Sequence, residues 1–201
     1  MSSLYLDPVN PQIASPVNLD SKLQTIQNAL KTGLTWLTHS FPKATRAKEK
    51  VGDEIRIFPE VFRNDSDFRY VNLLPSRDLV NFSFFLLNDP AIYSDYTPFE
   101  KIANVTYNLD LVFWFDLLKI DNTLNYRFLE LLKEDIIFII NQNPEINLIN
   151  VVEGFDQVWA GFNLEEVEGQ YFKQPYAGLK FNFSLTHAIT CNTAINTYSI
   201  V

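Results

Sequence analysis

The sequence predicts an α+β protein, a two-layer sandwich in which two helices pack on one face of a mainly antiparallel sheet. Two observations carry this prediction. Apolar and polar residues alternate over residues 104–116, and apolar residues recur with helical spacing over residues 19–38 and 124–141. The strands indicated between and after the helices are separated by short turns, which favours antiparallel pairing.

The alternating segment, residues 104–116, is the clearest single element. Apolar side chains take one parity, and polar ones take most of the other, interrupted by Val112 and Trp114. This pattern predicts a strand with one face in the core and one face mostly in water. We therefore expect Asp110 and Asp116, on the polar parity, to be hydrated unless that face lines an interface.

The two helical segments supply the second layer. Residues 19–38 carry leucine and isoleucine at steps of three and four, typical of an amphipathic helix. In residues 124–141 the predicted apolar face includes Leu131 and Leu132. The residues expected in the core lie on the apolar faces of the helices and strands: Leu23, Leu30, Phe113, Leu132, Ile136 and Phe181.

The chain is predicted to form one domain. Residues 1–18, with three prolines, are predicted to be an extended arm, either a frayed terminus or a segment that lies on a neighbouring subunit. Residues 19–187 form the domain, and residues 188–201 form an uncharged tail. Further strands are predicted over residues 55–62, 68–74, 79–87, 146–152 and 179–187.

Two segments predicted as loops are the candidate interfaces. Residues 41–52 hold the densest basic run, which is either a solvated connector or a contact to an acidic partner or DNA phosphate. Residues 88–101 hold aromatic side chains for which solvent exposure would be unfavourable. The candidate interface residues are Lys43, Arg46, Lys48, Lys50, Tyr93, Tyr96 and Phe99.

Composition narrows the class of protein. The 201 residues carry 24 acidic and 16 basic side chains, a net charge of −8, so the overall field does not favour nucleic acid. Cys191 is the only cysteine, which excludes an intrachain disulfide and fits a reducing cytoplasm. The N-terminus lacks the features of a signal peptide, and the longest apolar stretch, residues 136–140, is too short to span a membrane.

No motif for catalysis or for phosphate binding occurs in the sequence, so we expect no enzymatic activity, cofactor or metal. His39 and His187 lack partners at the spacing of a metal site or triad and are interpreted as structural or neutral. The acidic run 165–168 could pair carboxylates, but a solvated turn is the preferred interpretation. Residues 65–67 are interpreted as a plain turn.

The order of elements resembles the tail terminator proteins of long-tailed bacteriophages and the related tail-completion and neck proteins. The matching pieces follow the first helix and read NFSFFLL, NVTYNLDLVFWFDL, YRFLELLKEDIIFII and GLKFNFSLTH. The resemblance covers residues 19–187 at the level of element order and pattern, and it carries no catalytic residues.

This resemblance implies a virion structural protein, made in the host cytoplasm and incorporated in the virion. Such a protein forms a ring, commonly a hexamer, that ends the tail tube and joins it to the head connector. Its expected partners are copies of itself, the tail tube and the neck proteins, with non-specific contact to DNA in the lumen and none to a membrane. The alternatives are another neck or collar ring protein, or a host α+β domain that binds a small ligand or is a small enzyme.

Overall fold

The computed structural model describes residues 12, 15–64, 69–97, 102–123 and 129–190. Within them, eight strands and four α-helices form an α+β sandwich, which confirms the predicted fold class. The elements are α1 (Asn18–Gly33), β1 (His39–Val51), β2 (Glu54–Asn64), β3 (Arg69–Asn72), β4 (Phe82–Leu87), β5 (Ile92–Thr97), β6 (Ile102–Asp116), α2 (Leu117–Ile120), α3 (Leu129–Ile140), β7 (Ile146–Glu153), α4 (Phe155–Val158) and β8 (Tyr176–Thr190).

One continuous sheet holds all of these strands. Its order is β3-β2-β1-β4-β6-β8-β7, and β5 pairs with the part of β6 that β4 leaves open. Only β1 and β4 run parallel among the described pairs. β6 and β8 pair along 15 residues, from Ile102 opposite Thr190 to Asp116 opposite Tyr176. The other strands extend from this long pair on both sides, with β4 and β5 next to β6 and with β7 next to β8.

The predicted helical layer is present. α1 and α3 pack on the face of β6 and β8 that carries Phe113 and Phe181, and these two rings meet edge to face at 5.7 Å. Burial of apolar side chains from two helices and one sheet face is the main stabilising term for such a layer. All six residues predicted for the core are buried: Leu23, Leu30, Phe113, Leu132, Ile136 and Phe181.

The opposite face of β6 is also buried from Asp110 to Asp116, so the prediction of a mostly wet face is wrong for this part of the strand. Val112 and Trp114 lie in a second apolar cluster with Phe82, Phe84 and Trp159. α4 and the segment that follows it fold over this side of the sheet and exclude water. Side chains of opposite parity on β6 therefore belong to two separate cores.

Two predicted loops contain strands. Residues 41–52 lie almost entirely in β1, and residues 92–97 of the second predicted loop form β5. Cross-strand hydrogen bonds, rather than burial, hold the outer half of β1, so it lacks the apolar alternation that marks a strand. The predicted loop interpretation is wrong for residues 41–51 and 92–97.

The predicted boundaries shift at several other points. The first helix ends at Gly33 rather than at residue 38, and β8 extends through residues 188–190 of the predicted tail. The second predicted helix is described from Leu129, and Leu131 is exposed rather than part of the buried face. Residues 1–11, 65–67, 124–128 and 191–201 lie outside the described residues, and with them lie most of the predicted arm, most of the tail and one predicted turn.

Gly178 gives a direct test of the second core. It lies on β8 opposite Trp114, and an added Cβ atom would be 2.7 Å from Cε3 of that indole. Because Trp114 is itself buried, its ring or the strand must shift to accept the added methyl group. We expect Gly178→Ala to lower the free energy of unfolding by about 1–3 kcal/mol in urea denaturation.

Gly169→Ala is the matched control, since its added Cβ would meet no atom within 4 Å. We expect that change to alter the free energy of unfolding by less than about 0.5 kcal/mol. Equal effects of the two substitutions would contradict the packing of Trp114 against Gly178.

Candidate interaction surfaces

The β1–β2 hairpin presents basic and apolar side chains on one face. Its register runs from Thr45 opposite Glu60 to Val51 opposite Glu54, and it sets Lys48 and Lys50 opposite Ile57 and Ile55. Directly opposed residues of an antiparallel pair share a face of the sheet. Lys48, Lys50 and Ile55 are exposed, and Ile55 keeps 63% of its accessible surface. We call these three residues the hairpin surface.

The other two predicted basic residues are engaged within the chain. Lys43 pairs with Asp20 of α1, with Nζ 3.2 Å from Oδ1. Arg46 donates to the carbonyl oxygen of Leu87 at 3.1 Å, and its guanidinium lies 5.9 Å from the centre of the Phe162 ring. These contacts tie β1 to neighbouring elements, so Lys43 and Arg46 have structural roles.

Of the three predicted aromatic residues, Tyr93 is the one whose side chain the structure describes, and it is exposed. It lies on β5 with 65% of its surface accessible, next to the exposed Ile92. Tyr96 lies on the same strand, and Phe99 lies outside the described residues. The structure therefore supports an exposed aromatic position at Tyr93, separate from the hairpin surface.

A second exposed surface, absent from the predicted interface, lies on α3. Leu131 and Phe138 keep 55% and 69% of their surface, and Glu134 and Asp135 between them are exposed. These positions are i, i+3, i+4 and i+7 and lie on one side of a helix. The sequence did indicate this surface, because the apolar residues of α3 cover a wider arc of the helix than the buried face alone requires. We call these four residues the helix surface.

Asp110 and Asp116 have structural roles in place of the predicted exposure to water. The Asp110 carboxylate accepts hydrogen bonds from the side-chain amides of Asn88, at 2.6 Å, and Asn182. Asp116 accepts the backbone N–H of Leu118 at 3.0 Å and caps the short helix α2. Both carboxylates are buried, and these bonds offset the cost of removing them from water.

Glu165 and Glu166 contact Arg56 near the turn of the hairpin. The guanidinium lies 3.3 Å from Glu165 Oε2 and also donates to Glu166, while both carboxylate side chains stay more than half exposed. This exposure agrees with the predicted solvated turn. Among the described residues, no group of three acidic, histidine or cysteine side chains is arranged to hold a metal ion.

His187 is buried near the end of β8, and its ring stacks on Tyr107 with centroids 5.8 Å apart. Neither ring nitrogen has a hydrogen-bond partner among the described residues. Burial lowers the pKa of His187, as does the nearby Lys22 ammonium, while Glu145 opposes the shift. His39 is likewise buried, and its ring stacks on Phe41, so the burial of both histidines agrees with structural roles.

The lowered pKa of His187 predicts a pH-dependent stability. The unfolded chain binds the proton more readily than the folded one, so stability is full above the unfolded pKa of about 6.5 and falls as the pH drops below it. We expect the free energy of unfolding to fall between about pH 7 and pH 5.5, and His187→Gln to flatten that slope. An unchanged slope in the variant would contradict this assignment.

A cavity of about 390 Å³ lies between α1 and the segment that follows α3. Its walls include the apolar Ile26, Ala29 and Ile139. Two further lining residues, Lys22 and Glu145, form an ion pair with Nζ 2.6 Å from Oε1. The cavity is within the size range of small-ligand sites.

No protein-family model matches the chain, and no curated protein matches it. No helix in the described part of the chain is both long enough and apolar enough to cross a membrane.

Proposed function

We propose that this chain is a virion structural protein, a tail terminator or neck ring subunit that caps the tail tube and joins it to the head connector. The proposal rests on the resemblance in element order and on one observation from the fold. Two exposed surfaces, one basic and one acidic and both with apolar residues, lie on different parts of the same rigid domain.

Ring assembly needs this kind of asymmetry. A closed ring larger than a dimer is built from heterologous contacts, in which one patch of a subunit meets a different patch of the next. A hairpin surface on β1 and β2 and a helix surface on α3 give the chain two different patches. On this proposal the chain is made in a host cytoplasm and enters the virion, where it contacts tail tube and connector proteins and the DNA that passes through the lumen.

Electron microscopy of the purified protein tests ring assembly. At high protein concentration we expect negatively stained closed rings with a central hole, six subunits being the number that the resemblance implies. The mass of such particles should be an integral multiple of 23.3 kDa. Particles that remain single 23.3 kDa subunits at every concentration would contradict the proposal.

The cavity beside α1 favours a second candidate, a host domain that binds a small ligand. Its apolar wall and its ion-paired Lys22 and Glu145 are features of many ligand sites. A thermal-shift screen of small metabolites separates the two candidates. A compound that raises the melting temperature of the wild type and not of an Ala29→Trp variant, in which the indole would fill the cavity, would favour the ligand-binding candidate.

A further inference from the structure

We propose that the hairpin surface of one copy of this chain binds the helix surface of a second copy. The inference rests on the proposed ring assembly and specifies the two faces that make the subunit contact. The hairpin surface consists of Lys48, Lys50 and Ile55, and the helix surface consists of Leu131, Glu134, Asp135 and Phe138.

The charges of the two surfaces are complementary. The register of the hairpin sets both lysines opposite isoleucines, with no acidic side chain at those opposed positions. On α3, Glu134 and Asp135 flank the apolar pair Leu131 and Phe138. None of these four charged residues has an ion-pair partner among the residues that the structure describes.

Each surface also carries exposed apolar residues. Phe138 and Ile55 keep 69% and 63% of their surface accessible, which is unfavourable in a free subunit. Interfaces commonly bury such aromatic and aliphatic side chains within a charged rim. Contact between the two surfaces would remove both side chains from water and pair the lysines with the carboxylates.

The fold prevents one copy from joining its own two surfaces. The hairpin lies on the side of the sheet that ends in β3, whereas α3 lies beside β7, the last strand at the other edge. The Nζ of Lys133 on α3 forms an ion pair with Glu153 of β7 and holds the helix at that edge. A contact between the surfaces therefore joins different copies, and when each copy uses its two surfaces on two different neighbours, the repetition gives a ring or a filament.

Charge reversal in both directions tests this contact in the full-length protein. Lys48→Glu with Lys50→Glu makes the hairpin surface acidic, and Glu134→Lys with Asp135→Lys makes the helix surface basic. Each double variant alone should self-associate at least about tenfold more weakly than the wild type in sedimentation velocity, because like charges then oppose each other. Lys119→Glu with Lys173→Glu reverses two exposed lysines outside both surfaces and is the control that should leave association unchanged.

Self-association of an equimolar mixture of the two double variants is the decisive measurement. Each variant then offers the surface that the other lacks, so we expect association to return close to the wild-type level. The mixture also shows that both variants are folded, because unfolded chains would not restore a specific contact. Association should also weaken as salt is raised, since exposed charge pairs are screened.

Four outcomes would overturn the inference. If both double variants still form rings as the wild type does, ring assembly stands and these two surfaces are rejected. A mixture of the two variants that does not regain association also rejects these surfaces. A wild-type chain that stays monomeric at millimolar concentration would reject ring assembly itself. Unchanged association of the Lys48 and Lys50 variant, together with lost binding to a fluorescent DNA duplex, would assign the hairpin surface to nucleic acid.

Discussion

Replacing Phe113 with alanine and, separately, replacing Trp114 with alanine should each lower the free energy of unfolding by about 3–5 kcal/mol. The two residues are neighbours on β6 and point to opposite faces of the sheet. Phe113 packs against Phe181 beneath the helices, whereas Trp114 packs against Trp159 in the second cluster, with ring centres 5.9 Å apart. Each truncation therefore leaves a cavity in a different core.

Urea denaturation followed by circular dichroism measures both effects without depending on tryptophan fluorescence. Tyr93→Ala is the matched control, because its ring is 65% exposed and lies outside both proposed contact surfaces. We expect the control to change the free energy of unfolding by less than about 0.5 kcal/mol. If Trp114→Ala behaves like the control while Phe113→Ala does not, the second core is absent and the face of β6 that carries Trp114 is hydrated.

Asp110→Ala should be the next most damaging of the proposed substitutions, at about 2–3 kcal/mol in the same measurement. The Asp110 carboxylate accepts hydrogen bonds from Asn88 beside β4 and from Asn182 on β8. Removing it leaves both amides without their charged acceptor in a partly buried place, and hydrogen bonds to charged groups are worth more than neutral ones.

Asp135→Ala is the control for that substitution, since Asp135 is exposed on α3. We expect it to have no measurable effect on the stability of the free subunit. A loss of less than about 0.5 kcal/mol for Asp110→Ala would mean that water replaces the carboxylate as partner of the two amides.

The sequence was sufficient for the fold class and for the first core because their signals are periodic. Alternation marks β6, helical spacing marks α1 and α3, and the six core residues named from these patterns are buried. The second core was missed because Val112 and Trp114 looked like interruptions of a polar face. The residues that cover this face come from α4 and the segment after it, more than 40 residues further along the chain. No pattern within the strand itself indicates that contact.

The candidate surfaces could be predicted only in part. Lys48 and Lys50 are exposed as expected, but Lys43 and Arg46 have partners on α1 and at the end of β4 that their spacing does not indicate. The helix surface was open to prediction, because Leu131 and Phe138 fall seven residues apart and outside the stripe of Leu132 and Ile136. An apolar arc too wide for one buried stripe indicates a second contact surface.

The two surfaces give the proposed ring a simple physical basis. The sheet keeps them apart within one copy, their opposite charges favour contact between copies, and their exposed apolar residues supply the gain from burial. The same arrangement would leave Tyr93 on β5 outside the subunit contact and available to another protein of the neck.

Deletion of the gene from the genome that carries it tests the central claim most directly. Electron microscopy of the resulting particles should show filled heads detached from tails, and tails of irregular or excessive length, with normal particles restored when the gene is supplied in trans. Intact particles of normal tail length in the deletion, or a genome that encodes no tail at all, would contradict the account.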